Sequence, residues 1–377
     1  MNRGAVAEID LSAISSNLKS AKKMAQNKDI IAVVKADAYG HGSVEVSKRL
    51  IKDGADFLSV AFCEEAKELR NAGIEIPLIV LFDPDPADII KYNLIPVISD
   101  LKTAMALSKE AEKRHKEIKI HIKVDTGMGR LGIIDDVAKN ILEIANLRGI
   151  MIDGIMSHFS ESDSEDSTFS HYQIARFNNL KKELSAIGLN VKRFHMANSA
   201  AIISLPESHF DAVRPGLMIY GISPFEDSCS TITPAKCSCW DFSLIPAMSL
   251  KTRLVVLRKV PYGTPISYGK TFVTKRESLI GVISIGYADG FCRLFSNNAD
   301  VLVRGKRIPV VGKVCMDLTM IDLTEIQDVV SHNDEVIIIG KQGSETIKAV
   351  ELAQRANTIS YEILTSLGRM AKKSYKN

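Results

Sequence analysis

The sequence predicts an α/β chain in two parts: an N-terminal (β/α)8 barrel of the TIM type, then a mostly β C-terminal domain. Two patterns predict it. Between residues 29 and 219, eight short β-branched or apolar runs alternate with stretches of helical periodicity, the order expected of a closed parallel barrel. After Gly221 the alternation stops, and strand-like runs follow one another without long helices between them. A chain of 377 residues also exceeds one typical core, so two domains are the expected division.

Residues 1–10 read as a strand that packs with the C-terminal domain. Asp10 then caps a helix whose Leu11, Ile14, Leu18, Ala21 and Ala25 recur at three and four spacing. Barrel strands are expected at 30–34, 57–61, 78–82, 95–98, 118–124, 152–156, 191–194 and 212–213 continuing towards 219. Phe177, Leu180, Leu184 and Ile187 mark a helix closed by Gly188. The run 225–244 has no period and three of the six cysteines, as a linker would. Beyond it come strands at 250–260, 279–287, 301–303, 308–314, 319–323 and 335–340, with a hairpin at Arg304-Gly305-Lys306 and helices at 349–356 and 361–367. The domain boundaries drawn from this are 1–10, 11–235 for the barrel and 236–377 for the β-rich part.

Composition narrows the function. Lys+Arg number 48 against 45 Asp+Glu, for a net charge of +3 without like-charge blocks, which excludes nucleic acid or an anionic membrane surface as the main partner. No apolar run approaches the length of a spanning helix, and Glu8 and Asp10 stand where a signal peptide needs an apolar core; a soluble cytoplasmic protein is expected. The cysteines at 63, 229, 237, 239, 292 and 315 form no C-x-x-C pair, so neither a disulfide framework nor a metal site is expected, and Cys237-Ser238-Cys239 offers only two ligands.

In a barrel of this kind the site lies at the C-terminal ends of the strands. Polar residues that a core would not want collect there: Lys35, Lys123, Asp125, His158, His195, Asn198, Ser199 and Arg214. Singly, each is a rim residue with a local partner; together, cations and neutral donors on one rim suit an anionic ligand. Lys35 stands out, because an ammonium at the end of a buried strand must reach solvent, find a partner or enter a covalent bond.

Several motifs run in order through both parts: Val34-Lys35-Ala36-Asp37-Ala38-Tyr39-Gly40-His41-Gly42, the run from Lys123 through Arg130 to Gly132, His158-Phe159, Ala197-Asn198-Ser199-Ala200, Arg214-Pro215-Gly216, Ser267-Tyr268-Gly269, Gly286-Tyr287-Ala288-Asp289-Gly290 and Cys315-Met316-Asp317. This set resembles the alanine racemases, the fold-type III pyridoxal-phosphate enzymes, over essentially the whole chain. The resemblance implies that Lys35 holds pyridoxal 5'-phosphate covalently, and that Tyr39, Tyr361, Ser199 and the amides near Gly216 and Leu217 hold its phosphate. His158 and Asn198 are further cofactor-site residues, and Arg214 faces the ring nitrogen. Arg130, oriented by a carbamylated Lys123, binds the substrate carboxylate, and Met316 and Tyr287 line the substrate entrance. Inverting Cα takes two acid/base groups on opposite faces; the resemblance assigns Lys35 to one and Tyr268 to the other, with Tyr268 donated across a head-to-tail homodimer. A phenol is a poor base at neutral pH, and His158 and Arg214 are the cations expected to assist it. The implied activity interconverts L- and D-alanine for peptidoglycan.

A broader racemase acting on serine shares every motif. A decarboxylase of similar build would want a carboxylate in place of Arg214, and a non-catalytic cofactor carrier would lack the second domain. One departure from the family pattern is Leu81-Phe82-Asp83-Pro84-Asp85-Pro86, where an aromatic and two prolines follow the third strand.

Overall fold

The computed structural model describes residues 4–226 and 243–377. It resolves into two compact units. One comprises Ile14–Ala38 and Ser43–Ile245; the other takes the chain up to Ala13, Tyr39–Gly42 and everything from Pro246 on. The boundary expected at 235/236 and the thiols of Cys229, Cys237 and Cys239 lie outside the described residues.

Strands are numbered along the chain from β1 (Val6–Asp10). The barrel is β2 (Asp29–Val33), β3 (Phe57–Val60), β4 (Leu78–Val80), β5 (Ile95–Ile98), β6 (Ile118–Lys123), β7 (Ile150–Met156), β8 (Arg193–His195) and β9 (Ala212–Val213). All pair in parallel, and β9 closes the ring on β2 through Asp29 opposite Ala212 and Ile30 opposite Val213. Strands of two to four residues cannot persist by local preference. Ile31, Phe57, Ile79, Ile95, Val97, Met156 and Ala212, from six of the eight strands, form one buried cluster, and each large side chain so buried contributes about 1.5–3 kcal/mol. Asn17, on the helix Leu11–Ala25, ties the unit's last segment down: its amide donates to the carbonyls of Ile219 and Ile245 at 3.0 and 2.8 Å and accepts from the Ile245 amide.

The other unit is mostly β, a nine-stranded sheet with a separate two-stranded one, Pro265–Ile266 paired with Phe272–Val273. It contains β10 (Met248–Val260), β11 (Pro265–Ile266), β12 (Phe272–Val273), β13 (Ser278–Ile283), β14 (Asp300–Val303), β15 (Lys306–Pro309), β16 (Thr319–Asp322), β17 (Glu335–Gln342), β18 (Glu345–Ile347) and β19 (Lys372–Lys376). The main path runs β15-β14-β17-β10-β1-β19. Thus β1 lies between β10, antiparallel, and β19, parallel. Arg304 and Gly305 both have positive φ (51° and 73°), as a two-residue hairpin with the twist of its strands requires. Among the described residues no helix is long and apolar enough to cross a membrane.

Three expected strands stop early. The run from 212 ends at Val213, because Pro215 has no N–H for a ladder and the chain turns into a 3-10 helix at Leu217–Tyr220. The run from 279 ends at Ile283, and Tyr287–Asp289 is a 3-10 turn instead. Val80 ends β4, so Phe82 belongs to a loop in which Asp83 has φ 44° and Asp85 caps the next helix, accepting from the Asp88 amide at 2.9 Å.

Candidate active site

β2 ends at Val33, two residues short of Lys35, so the lysine is not at the end of a strand as the sequence suggested. Ala36, Asp37, Ala38 and Tyr39 instead form a left-handed turn with φ between 52° and 57°, a conformation that costs an L-residue roughly 1–2 kcal/mol. Half-buried carboxylates hold it. Glu65 accepts from the Ala36 amide at 2.7 Å with one oxygen and from the Ala61 amide at 2.6 Å with the other. Asp37 accepts from the Ser43 amide at 2.8 Å and so joins the turn to the following helix, Ser43–Lys52.

The amine thus presented is half-buried. Burial, with the Arg130 guanidinium nearby, lowers the Lys35 pKa, and the Glu65 carboxylate opposes them. Lys123, at the end of β6, is more affected: burial and the cations Arg214, Arg130 and Lys35 bring it down to about 8 against the pull of Asp125. Both amines face the ring of Phe82, at 5.8 and 5.9 Å from its centre. The Phe82 loop that departs from the family pattern therefore forms a wall of this site. Asp125 shapes the loop after β6 by accepting from the amides of Gly127, Met128 and Arg130, which leaves the Arg130 side chain exposed.

Arg214 is buried and anchored on every side. It donates to His195 Nδ1 at 2.7 Å, to the carbonyls of Ser157 and Met196 at 2.7 and 2.9 Å, and lies 3.2 Å from His158 Nδ1. Burial draws its pKa down to about 9, which still leaves a cation at neutral pH. Because Arg214 can only donate, His195 Nδ1 must be an acceptor and its Nε2 carries the proton towards His121 Nδ1, 2.8 Å away. His121 Nε2–H then faces Asp153 at 3.4 Å, and Arg193 bridges Asp153 and Asp29 at 2.6 and 2.7 Å. The donors therefore run one way from Arg214 at the rim through His195 and His121 to Asp153, which also accepts from Arg193. Both histidines are held neutral by burial and by neighbouring arginines. His158 is likewise held well below its ordinary value by burial, Arg214, Lys123, Arg130 and Lys35. That lowering disfavours the cationic form that the sequence suggested for assisting a phenol.

Near the β8 end, Asn198 caps the helix Ser199–Ser204, its oxygen accepting from the Ala201 amide at 3.0 Å and from the Ser162 hydroxyl. Ser199 Oγ accepts from the amides of Gly216 and Met218 at 2.9 and 3.3 Å. With both lone pairs engaged, its own proton is directed away from them. A lysine of lowered pKa, a buried guanidinium and a serine–amide cradle form a donor set that suits an aldehyde-bearing, phosphorylated aromatic cofactor.

The sheet unit holds the remaining expected residues in two groups. Tyr39 and Tyr361 lie with ring centres 5.9 Å apart, and burial together with Tyr361 raises the Tyr39 pKa, so its phenol stays a neutral donor. Tyr268, Tyr287 and Met316 are exposed, and the last two share one framework: the Tyr287 and Ala288 amides donate to the carbonyls of Cys315 and Met316 at 3.0 and 2.9 Å. No side chain at 286 would fit, since a Cβ there would lie 2.3 Å from the Met316 oxygen.

A family model described as "Alanine racemase, N-terminal domain" matches residues 9–224, and "Alanine racemase, C-terminal domain" matches 247–375. The chain belongs to the alanine racemase family. An alanine racemase of Thermodesulfovibrio yellowstonii is 50% identical over 379 residues, covering 100% of this chain and 98% of the relative. The structure of the Bacillus anthracis alanine racemase with bound L-Ala-P is similar at TM-score 0.91 and 34% identity, over 100% of this chain and 96% of that one. That of the Bartonella henselae alanine racemase, with covalently bound pyridoxal phosphate, is similar at TM-score 0.86 and 28% identity over 99% of each. Alanine racemases are pyridoxal-phosphate-dependent isomerases.

Proposed function

We propose that this isomerase interconverts L- and D-alanine in the cytoplasm with Lys35 and Tyr268 as its two acid/base groups, supplying D-alanine for peptidoglycan. The observation that carries the reading is the Lys35 amine, presented by a left-handed turn and held at lowered pKa by burial and Arg130. Lowering the pKa of an amine favours its neutral form, the form that bonds to an aldehyde. When bound, pyridoxal 5'-phosphate supplies an electron sink for charge developing at the substrate's Cα.

Each residue then has a task. Lys35 anchors the cofactor and, once displaced, moves a proton at Cα on one face. Tyr268 does so on the other, from the neighbouring chain of a homodimer in which Tyr287 and Met316 border the entrance. Ser199 and the amides of Gly216 and Leu217 hold the phosphate, with the hydroxyls of Tyr39 and Tyr361; His158 and Asn198 line the cofactor site. Arg214, a fixed donor, would face the ring nitrogen and offer it a hydrogen bond without giving up its proton. Arg130 binds the substrate carboxylate. Lys123, at about 8, has a neutral fraction able to add carbon dioxide; the nitrogen lone pair bonds the carbon, a proton leaves, and the resulting carbamate pairs with Arg130. The same reading assigns 11–235 to cofactor binding and 236–377, with the strand at 1–10, to the β-rich domain.

The test is reconstitution with pyridoxal 5'-phosphate, an intact mass of the native chain, and chiral analysis after incubation with L-alanine and L-serine separately. A yellow protein that forms D-alanine faster than D-serine, with the mass of one added carbon dioxide, is expected. A chain that takes up no cofactor overturns the reading, faster turnover of serine overturns its substrate, and an unmodified mass overturns the carbamate.

A further inference from the structure

Ser267 has φ 63° and ψ −173°, a region essentially reserved for glycine and strained for a residue with a Cβ. Gly269 and Lys270, on the other side of Tyr268, also have positive φ (71° and 51°). Tyr268 is 69% exposed in its own chain, so packing within that chain contributes little to where its ring points. The backbone must set that direction.

Three features hold the strained turn. Ser267 Oγ donates to the Lys313 carbonyl at 2.6 Å and lies 3.6 Å from Cys315 Sγ. Gly312, at φ 74°, makes room: a Cβ there would lie 2.7 Å from Ser267 Cβ and 2.8 Å from the Ile266 carbonyl oxygen. Asn297 ties the two arms together, accepting from the Gly312 amide at 2.6 Å and donating to Thr271 Oγ1 at 3.2 Å. A turn that only reversed the chain would relax or carry glycine at 267. A serine held there by its hydroxyl implies that the orientation of the next residue matters.

We propose that Ser267 is a positioning residue for Tyr268. Its hydroxyl, bonded to the Lys313 carbonyl, fixes the turn so that the phenol can exchange a proton with Cα on the face opposite Lys35. The proposal rests on the reading of Tyr268 as an acid/base group.

The experiment uses the holoenzyme and the variants Ser267→Ala, Ser267→Gly and Tyr268→Phe, each assayed from both enantiomers of alanine with and without Cα deuterium. At equilibrium constant near one, both directions must slow together, so the isotope effects identify the affected face. Ser267→Ala keeps the strain and loses the bond; kcat should fall about 10- to 100-fold with KM nearly unchanged. Its deuterium effect should rise for the same enantiomer that Tyr268→Phe affects. Ser267→Gly removes the strain along with the hydroxyl and should lose less, and it stands in if the alanine variant fails to fold. Wild-type kcat in both Ser267 variants, or isotope effects that change equally for the two enantiomers, overturns the proposal. Wild-type racemisation by Tyr268→Phe instead overturns the acid/base reading on which it rests.

Discussion

The turns that carry Lys35 and Tyr268 both use left-handed backbone, but they are held by different means. Around Lys35 the turn is half-buried, and its strain is balanced by carboxylates: Glu65 takes the Ala36 and Ala61 amides, and Asp37 takes the Ser43 amide. Around Tyr268 the turn is exposed, and a neutral hydroxyl, an asparagine and the missing side chain of Gly312 do the same work. Charge-assisted bonds are stronger and shift nearby pKa values. Beside Lys35 that is useful, because Glu65 limits how far burial and Arg130 lower the amine. A carboxylate bracing the Tyr268 turn would instead oppose formation of a phenolate.

The largest effects should come from the two side chains themselves and should differ in kind. Lys35→Ala should abolish racemisation and the bound chromophore together, because anchor and base are lost at once. Tyr268→Phe should lower kcat by about 10²–10⁴ while the visible spectrum of the bound cofactor persists. Absorbance spectra with steady-state rates check both; a Tyr268→Phe protein that cannot retain cofactor would place the tyrosine in cofactor binding.

A smaller effect should follow from the brace of the Lys35 turn. Glu65→Gln keeps one acceptor for two amides, and a buried amide left unpaired costs about 1–3 kcal/mol. Stability by denaturant titration should fall by that amount. The pH at which kcat rises should also move down, since in the substrate complex the Lys35 amine is released and the carboxylate that raises its pKa is gone. An unmoved profile would confine Glu65 to holding the backbone.

The legible parts of this molecule were those written in residue pattern. Alternating apolar runs announced all eight barrel strands, and polar residues at or just beyond their ends announced the rim that contains Lys35, Lys123, His158, Ser199 and Arg214. Geometry carried by backbone angles was not legible: nothing in Ser267-Tyr268-Gly269 says that the serine takes a glycine conformation. Glu65 sits in Cys63-Glu64-Glu65-Ala66-Lys67 and reads as an ordinary acidic first turn of a helix. His121 and Asp153 lie inside strands whose apolar neighbours set the pattern, so their link to Arg214 emerges only when the barrel closes. The last strand, Lys372–Lys376, pairs with β1 yet is polar, because strand pairing rests on backbone groups and an edge strand needs no apolar alternation.

The smallest expected effect is on pH dependence, and it contrasts the two units. His121, His158 and His195 are all held neutral, chiefly by burial. The charges around them are named by their environment: Asp153, Arg193 and Arg214 about His121; Arg214, His121 and Arg193 about His195; Arg214, Lys123, Arg130 and Lys35 about His158. Their folded pKa values lie below the unfolded value of 6.5, so below that pH the unfolded chain binds more protons, and stability is lost as pH falls from 6.5 towards the folded values. Asp153 is depressed to about 2 by the His121 bond and Arg193 against the effect of burial. Its contribution is therefore complete above 3.8 and disappears only as pH falls through about 2. The histidines and Asp153 all belong to the barrel, whereas β10 in the sheet unit carries no buried histidine. Hydrogen exchange at pH 5 and 7.5, corrected for intrinsic rates, should show β6 losing more protection than β10 at the lower pH. Equal losses in the two strands would mean that the buried histidines do not set the acid limit of the fold.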